Sequence, residues 1–129
     1  KYLKTKINNN IKNIPFIEDM SKAYSAADLV ISRAGAITIS ELTLMKKAMI
    51  LIPYPLAAEN HQEINAKCLK NKNACIMIKQ KDLTRGLLEE KVFELLNNKQ
   101  LIKQLEENAK IFSTPDATEK IIKQIMKLI

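Results

Sequence analysis

The sequence predicts an α/β domain, a parallel sheet with flanking helices that ends in a helical tail. Three observations carry that prediction. Short apolar runs alternate with segments of helical spacing, the runs are continuously apolar as buried strands are, and beyond residue 78 the strands stop while helical spacing continues.

The first apolar run, 14–17 ("IPFI"), predicts a strand and leads into a helix over 19–27. A second strand is predicted at 29–32 ("LVIS"), followed by a helix over 38–47. The third, 49–52 ("MILI"), precedes a helix over 60–71, and the fourth is 74–78 ("ACIMI"). Strand and helix in strict alternation imply parallel pairing through right-handed crossovers. Helices over 83–96, 99–112 and 116–128 complete the chain, with "STPD" breaking it before the last. The expected organisation is one partial domain over 1–129, with an α/β part over about 1–80 and a helical tail over about 83–129. Doubly wound domains usually have five or six strands and a glycine-rich first βα turn. Four strands and no such turn predict either a small domain or opening strands outside these 129 residues.

Composition narrows the function. The longest uncharged stretch, 48–58, holds two prolines and is too short to span a bilayer, and the first residues lack the apolar core of a secretory signal. The chain does not begin with Met, which predicts a piece of something longer, and with no span that could cross a bilayer this piece is expected to be soluble. Cys68 and Cys75 have no CxxC spacing and no His/Cys cluster around them, so they read as thiols of a reducing compartment. The net charge of +7 invites a nucleic-acid reading, but of 21 basic residues only Arg33 and Arg85 are arginine, Trp is absent, and the lysines form no dense block. That pattern argues against specific nucleic-acid recognition.

Two stretches carry chemistry. In "LVISRAGAITISE", one of only two glycines in the chain, Gly35, follows a buried strand and precedes a helix expected to start at Ile37 or Thr38. Ligands of open parallel sheets bind at this edge. A glycine there permits positive φ and removes a Cβ that would block a ligand, and the free N–H groups of the helix start form an anion site. Thr38 and Glu41 also have capping-box spacing, so Glu41 reads equally as a helix cap or as a ligand residue. In "IPYPLAAENHQEINAK", two prolines stiffen the strand exit, and a helix then opens with His61, Gln62 and Asn65 in its first turn and a half. These neutral donors and acceptors suit sugar hydroxyls better than proton transfer. His61 alone reads as an exposed histidine near a helix cap.

Together, "PFIEDMSKAYSAADLVISRAGAITISEL" and "PYPLAAENHQEINAK" resemble the C-terminal, donor-binding half of the UDP-N-acetylglucosamine transferases of glycosyltransferase family 28, which form lipid II in peptidoglycan synthesis. The resemblance implies a Rossmann-like sheet that is the incomplete C-terminal half of a GT-B fold. It also implies inverting transfer of GlcNAc from UDP-GlcNAc to lipid I, with no cofactor and no essential bound metal ion. By motif, it implies that the Ile17 backbone reads uracil and that Gly35, Ala36, Ile37 and Thr38 hold the diphosphate. Glu41 would take the ribose, His61, Gln62 and Asn65 the GlcNAc hydroxyls, and Arg33 would lie beside the diphosphate unless it serves in a structural ion pair.

The family's N-terminal domain, which binds the undecaprenyl-linked acceptor and is expected to supply the base, has no counterpart here. No residue of this chain is therefore assigned a catalytic role, and the chain alone is expected not to transfer sugar. The resemblance places the full enzyme at the cytoplasmic face of the bacterial membrane, touching the membrane surface indirectly. Two other readings stand beside it: a stand-alone donor subunit of a two-chain UDP-GlcNAc transferase, and a non-enzymatic module that binds polyanions through its lysines. The last helix is amphipathic, with lysines opposite isoleucines; such a face suits a membrane surface or a protein, and packing on protein is the expectation.

Overall fold

A computed structural model describes residues 10–129. Three parallel strands form its sheet, in the order β1 (Val30–Ser32), β2 (Met49–Leu51), β3 (Ile76–Met77). Val30 aligns with Met49 and Ser32 with Leu51 on one side of β2, and Leu51 with Met77 on the other. Helix α1 (Met20–Ala26) precedes the sheet, α2 (Ala36–Leu44) and α3 (His61–Asn71) are the crossovers, and α4 (Arg85–Leu96), α5 (Lys99–Lys110) and α6 (Ala117–Met126) follow.

The run at 14–17 is not a strand. Pro15 removes a ladder donor, and Ile14, Phe16 and Ile17 are 53%, 77% and 38% exposed, so neither backbone pairing nor burial holds this run extended. The three strands that do form are joined by the two crossovers, as the alternation predicts.

Central strand β2 is sealed on both faces. Met49 and Leu51 belong to a cluster with Leu42 of α2, Ala66 and Leu69 of α3, and Tyr24 of α1. Ile50 and Ile52 belong to a second cluster with Ile78, Leu95 of α4 and Leu105 of α5. Period-two alternation along one strand thus builds both cores of a three-layer structure. Helix α5 joins them, since its Ala109 reaches the first cluster.

The crossover helices end alike, and neither end uses glycine. Lys46 (φ 53°) and Asn73 (φ 52°) take the left-handed conformation one residue beyond the caps of α2 and α3. The next residue then bonds back into the helix, Lys47 N–H to Leu42 C=O at 3.0 Å and Ala74 N–H to Leu69 C=O at 2.9 Å. These turns satisfy the last helical carbonyls and aim the chain into β2 and β3. Other helix starts are capped as sequence dictates: Asp19 accepts from Lys22 N–H, Thr84 from Leu87 N–H and Asn98 from Leu101 N–H.

Candidate functional site

The carboxyl ends of the strands open into three loops, and three side chains lock those loops to one another. Gln62, in the first turn of α3, accepts two backbone hydrogen bonds on Oε1, from Ala34 N–H (3.1 Å) and Tyr54 N–H (2.9 Å). Asn65, one turn on, donates from Nδ2 to the Ala34 C=O at 3.2 Å. Ala34 is fully buried, and its N–H and C=O are gripped by neighbouring turns of one helix. Arg33 reaches across the edge. Its Nη1 donates to the carbonyls of Ile52 (3.2 Å) and Pro53 (3.5 Å) and to Gln80 Oε1 (2.7 Å), and its guanidinium lies 5.7 Å from the centre of the Tyr54 ring.

Arg33 therefore has a structural role, but not as an ion pair. Its partners are neutral, and among the described residues no carboxylate salt-bridges it, so its positive charge stays at the sheet edge. Gln62 and Asn65, expected as free polar groups for a sugar, are likewise already engaged with the fold. The engagement of Gln62 is partial: with Oε1 committed to two N–H donors, the amide orientation is fixed and Nε2, with two hydrogens, points toward Gly35.

Gly35 itself corrects the sequence reading. Its φ is −67°, a value any residue adopts, while Lys46, Glu59, Asn60 and Asn73 hold the positive φ values. A Cβ built on Gly35 would meet only Gln62 Nε2, at 4.0 Å, an ordinary contact. Neither backbone conformation nor packing inside this chain requires glycine there. What glycine provides is an open approach to the start of α2.

That start lies earlier than Ile37 or Thr38. Gly35 is the N-cap and Ala36 the first helical residue, and the first helical bond runs from Ile39 N–H to Gly35 C=O at 3.0 Å. Glycine offers no side-chain cap, so the N–H groups of Ala36, Ile37 and Thr38 have no helical or capping partner. The Thr38–Glu41 capping box is thereby displaced. Thr38 falls inside the helix, and the Glu41 carboxylate is taken by the hydroxyl of Tyr24, which donates to Oε2 at 3.1 Å.

Arg33, Gly35, Ala36, Ile37, Thr38, Gln62 and Asn65 are thus assembled at one edge, with Glu41 on the next turn of α2. His61 opens α3 but stays outside this network, exposed and 3.6 Å from the Glu59 carboxylate. Ile17 lies in the exposed segment before α1. Beside the loops is a cleft of about 240 Å³ lined by Pro53, Pro55, Glu63, Lys79, Gln80 and Lys81. Glu63 Oε1 accepts from Lys67 and Lys79 at 2.8 Å each, and these two bonds hold its carboxyl down to about 2. Burial pushes the Cys75 thiol up to about 12, so it is a core group. Among the described residues no group of three His, Cys, Asp or Glu side chains is placed to hold a metal ion.

Tyr24, Tyr54 and Gln80 are the site residues that sequence reasoning missed. A single signal pointed to Tyr24: a tyrosine on the inner face of a helix brings a hydroxyl that must find a partner.

An open parallel sheet with an uncapped, glycine-led helix start at its carboxyl edge is the architecture of the Rossmann-like C-terminal half of a GT-B glycosyltransferase. The sequence model of the glycosyltransferase family 28 C-terminal domain matches residues 1–124, and the chain belongs to that family. It is 51% identical over 109 residues to the UDP-N-acetylglucosamine--N-acetylmuramyl-(pentapeptide) pyrophosphoryl-undecaprenol N-acetylglucosamine transferase of Thermodesulfovibrio yellowstonii, covering 84% of this chain and 30% of the relative. To the Acetivibrio thermocellus protein of the same name it is 46% identical over 121 residues, covering 92% of this chain and 33% of the relative. The crystal structure of Acinetobacter baumannii MurG superposes with a TM-score of 0.79 at 39% identity, over 88% of this chain and 33% of that one. The chain therefore spans about a third of the length of the relatives it matches.

Proposed function

We propose that this chain is the donor-binding part of an inverting hexosyltransferase that moves N-acetylglucosamine from UDP-GlcNAc to the undecaprenyl-linked acceptor, converting lipid I to lipid II. Acceptor binding and the catalytic base belong to the part of the enzyme outside the region matched in its relatives. On this reading the whole enzyme works at the cytoplasmic membrane surface, where its acceptor resides. Among the described residues no helix is long and apolar enough to cross a membrane.

The observation that carries the reading is the uncapped start of α2 beneath Gly35. As UDP departs, negative charge grows on the diphosphate. The N–H groups of Ala36, Ile37 and Thr38 would receive that charge without reorganising, because the helix already aligns them. Arg33 adds fixed positive charge, and the oriented Nε2 of Gln62 offers donors to a sugar hydroxyl beside the phosphate. Glu41 accepts from the ribose diol, the Ile17 backbone reads uracil, and His61 and Asn65 border the sugar. This division assigns binding and leaving-group stabilisation to this chain and proton transfer elsewhere.

Calorimetric titration with UDP-GlcNAc, UDP and ADP-ribose at two salt concentrations tests it. Uridine-selective binding that weakens with Glu41→Ala is the expected result. Binding that ignores both the base and Glu41 and collapses with salt would overturn the reading in favour of lysine-driven polyanion attraction. Gly35→Ala separates fold from site. The new methyl has room in this chain, so stability should fall only by the poorer cap that alanine makes, about 1 kcal/mol, while binding of the diphosphate weakens.

A further inference from the structure

Glu41 has an unusual setting for a carboxylate on a helix that carries no cap box. It sits in the second turn of α2, and among the described residues it forms no salt bridge and has the Tyr24 hydroxyl as its hydrogen-bond partner. Tyr24 is 7% exposed, is the buried residue of α1, and belongs to the core cluster that includes Leu42, Met49 and Leu51. Its ring is therefore fixed by packing, and the hydroxyl reaches out of the core at a defined point. Around the pair, Met20, Ser21, Leu44 and Met45 complete a depression of about 140 Å³ in which Glu41 is the one charged side chain.

We infer that Tyr24 is a positioning residue for the ligand: its hydroxyl fixes Glu41 through Oε2 and so presents Oε1 to a vicinal diol such as that of a ribose. The inference rests on the donor-site reading and adds to it the residue that sets the carboxylate's orientation. A neutral donor suits this task better than a cation. A lysine or arginine would neutralise Glu41 and compete for the same lone pairs, whereas a phenol holds one oxygen and leaves the charge available to accept from both diol hydroxyls. The phenol also stays a donor, because burial first and the adjacent Glu41 second push its ionisation above the ordinary value.

The test compares UDP with 2′,3′-dideoxyuridine diphosphate and with ADP-ribose on the wild-type chain, Tyr24→Phe, Glu41→Ala and the double variant, each with its thermal midpoint recorded. Tyr24→Phe keeps the packed ring and removes the hydroxyl alone. The expected result is that wild type prefers UDP, that Tyr24→Phe weakens UDP by about tenfold while leaving the dideoxy ligand nearly unchanged, and that it has no further effect on the Glu41→Ala background. A general loss of structure would lower both ligands together, and that outcome overturns the positioning role. Full retention of the diol preference in Tyr24→Phe also overturns it and leaves the donor site standing. A wild-type chain that does not distinguish UDP from ADP-ribose overturns both readings at once.

Discussion

Helices α5 and α6 are written in the same pattern and meet different fates. Both alternate isoleucine or leucine with lysine at helical spacing, and both present one apolar stripe. In α5 the stripe is covered, with Leu105 4% exposed and Ala109 fully buried. In α6 nothing is buried, and Ile121, Ile122, Ile125 and Met126 are 51–65% exposed. Pattern therefore establishes that a segment is a helix and which face is apolar, while the cover comes from neighbours that periodicity does not name.

The largest consequence is a contrast in truncations. Leu105→Ala opens a hole in the cluster it shares with Ile50, Ile78 and Leu95 and should cost roughly 2–5 kcal/mol, whereas Ile125→Ala should stay within about 0.5 kcal/mol. Denaturant unfolding of both variants measures it, and equal losses would show that α6 is covered in solution. Next in size is Gln62→Ala. It strips the shared acceptor from the Ala34 and Tyr54 N–H groups, so a loss of about 1–3 kcal/mol is expected. A variant as stable as wild type would show that water replaces the amide without cost.

A smaller effect lies on the acid limb. The folded-state value of Glu63, about 2, is below its ordinary 4.5, so the folded chain binds fewer protons than the unfolded chain between those values. Its contribution is complete above about 4.5 and is lost as pH falls toward about 2. Glu63→Gln should flatten that part of a stability-against-pH curve, and added salt should do so in part because the pairs with Lys67 and Lys79 are solvent-accessible.

The same division between pattern and surroundings explains what the sequence made legible. Three strands and all six helices followed from periodicity, and the carboxyl edge was singled out by the rule that open sheets bind ligands there. The run at 14–17 had strand composition, but strand formation needs a partner, and no periodicity supplies one. Gly35 stands at the strand-to-helix turn as expected, but the positive φ expected of it is absent, and what distinguishes it is the open space beside it. The Thr38–Glu41 spacing matched a cap box, but the helix starts two residues before Thr38, and the carboxylate follows a tyrosine 17 positions away in the chain. Such pairings are tertiary, and residue type alone does not reveal them.

The left-handed helix ends supply the smallest and cleanest prediction. Lys46 occupies the position past the end of α2 where glycine is usual, and a residue with a Cβ is strained there. The turn is held by backbone bonds alone, Lys46 N–H to Thr43 C=O at 3.1 Å and Lys47 N–H to Leu42 C=O at 3.0 Å. Removing the Lys46 side chain therefore relieves the strain and breaks no bond of the turn. Lys46→Gly should raise stability by about 0.5–1 kcal/mol, after the greater freedom that glycine gives the unfolded chain is set against the relief. Thermal unfolding of the single variant measures the gain. A loss of stability would mean that the strain at Lys46 is smaller than the entropy glycine adds, and that α2 ends where it does because Leu42 and Thr43 are buried and the local conformation follows.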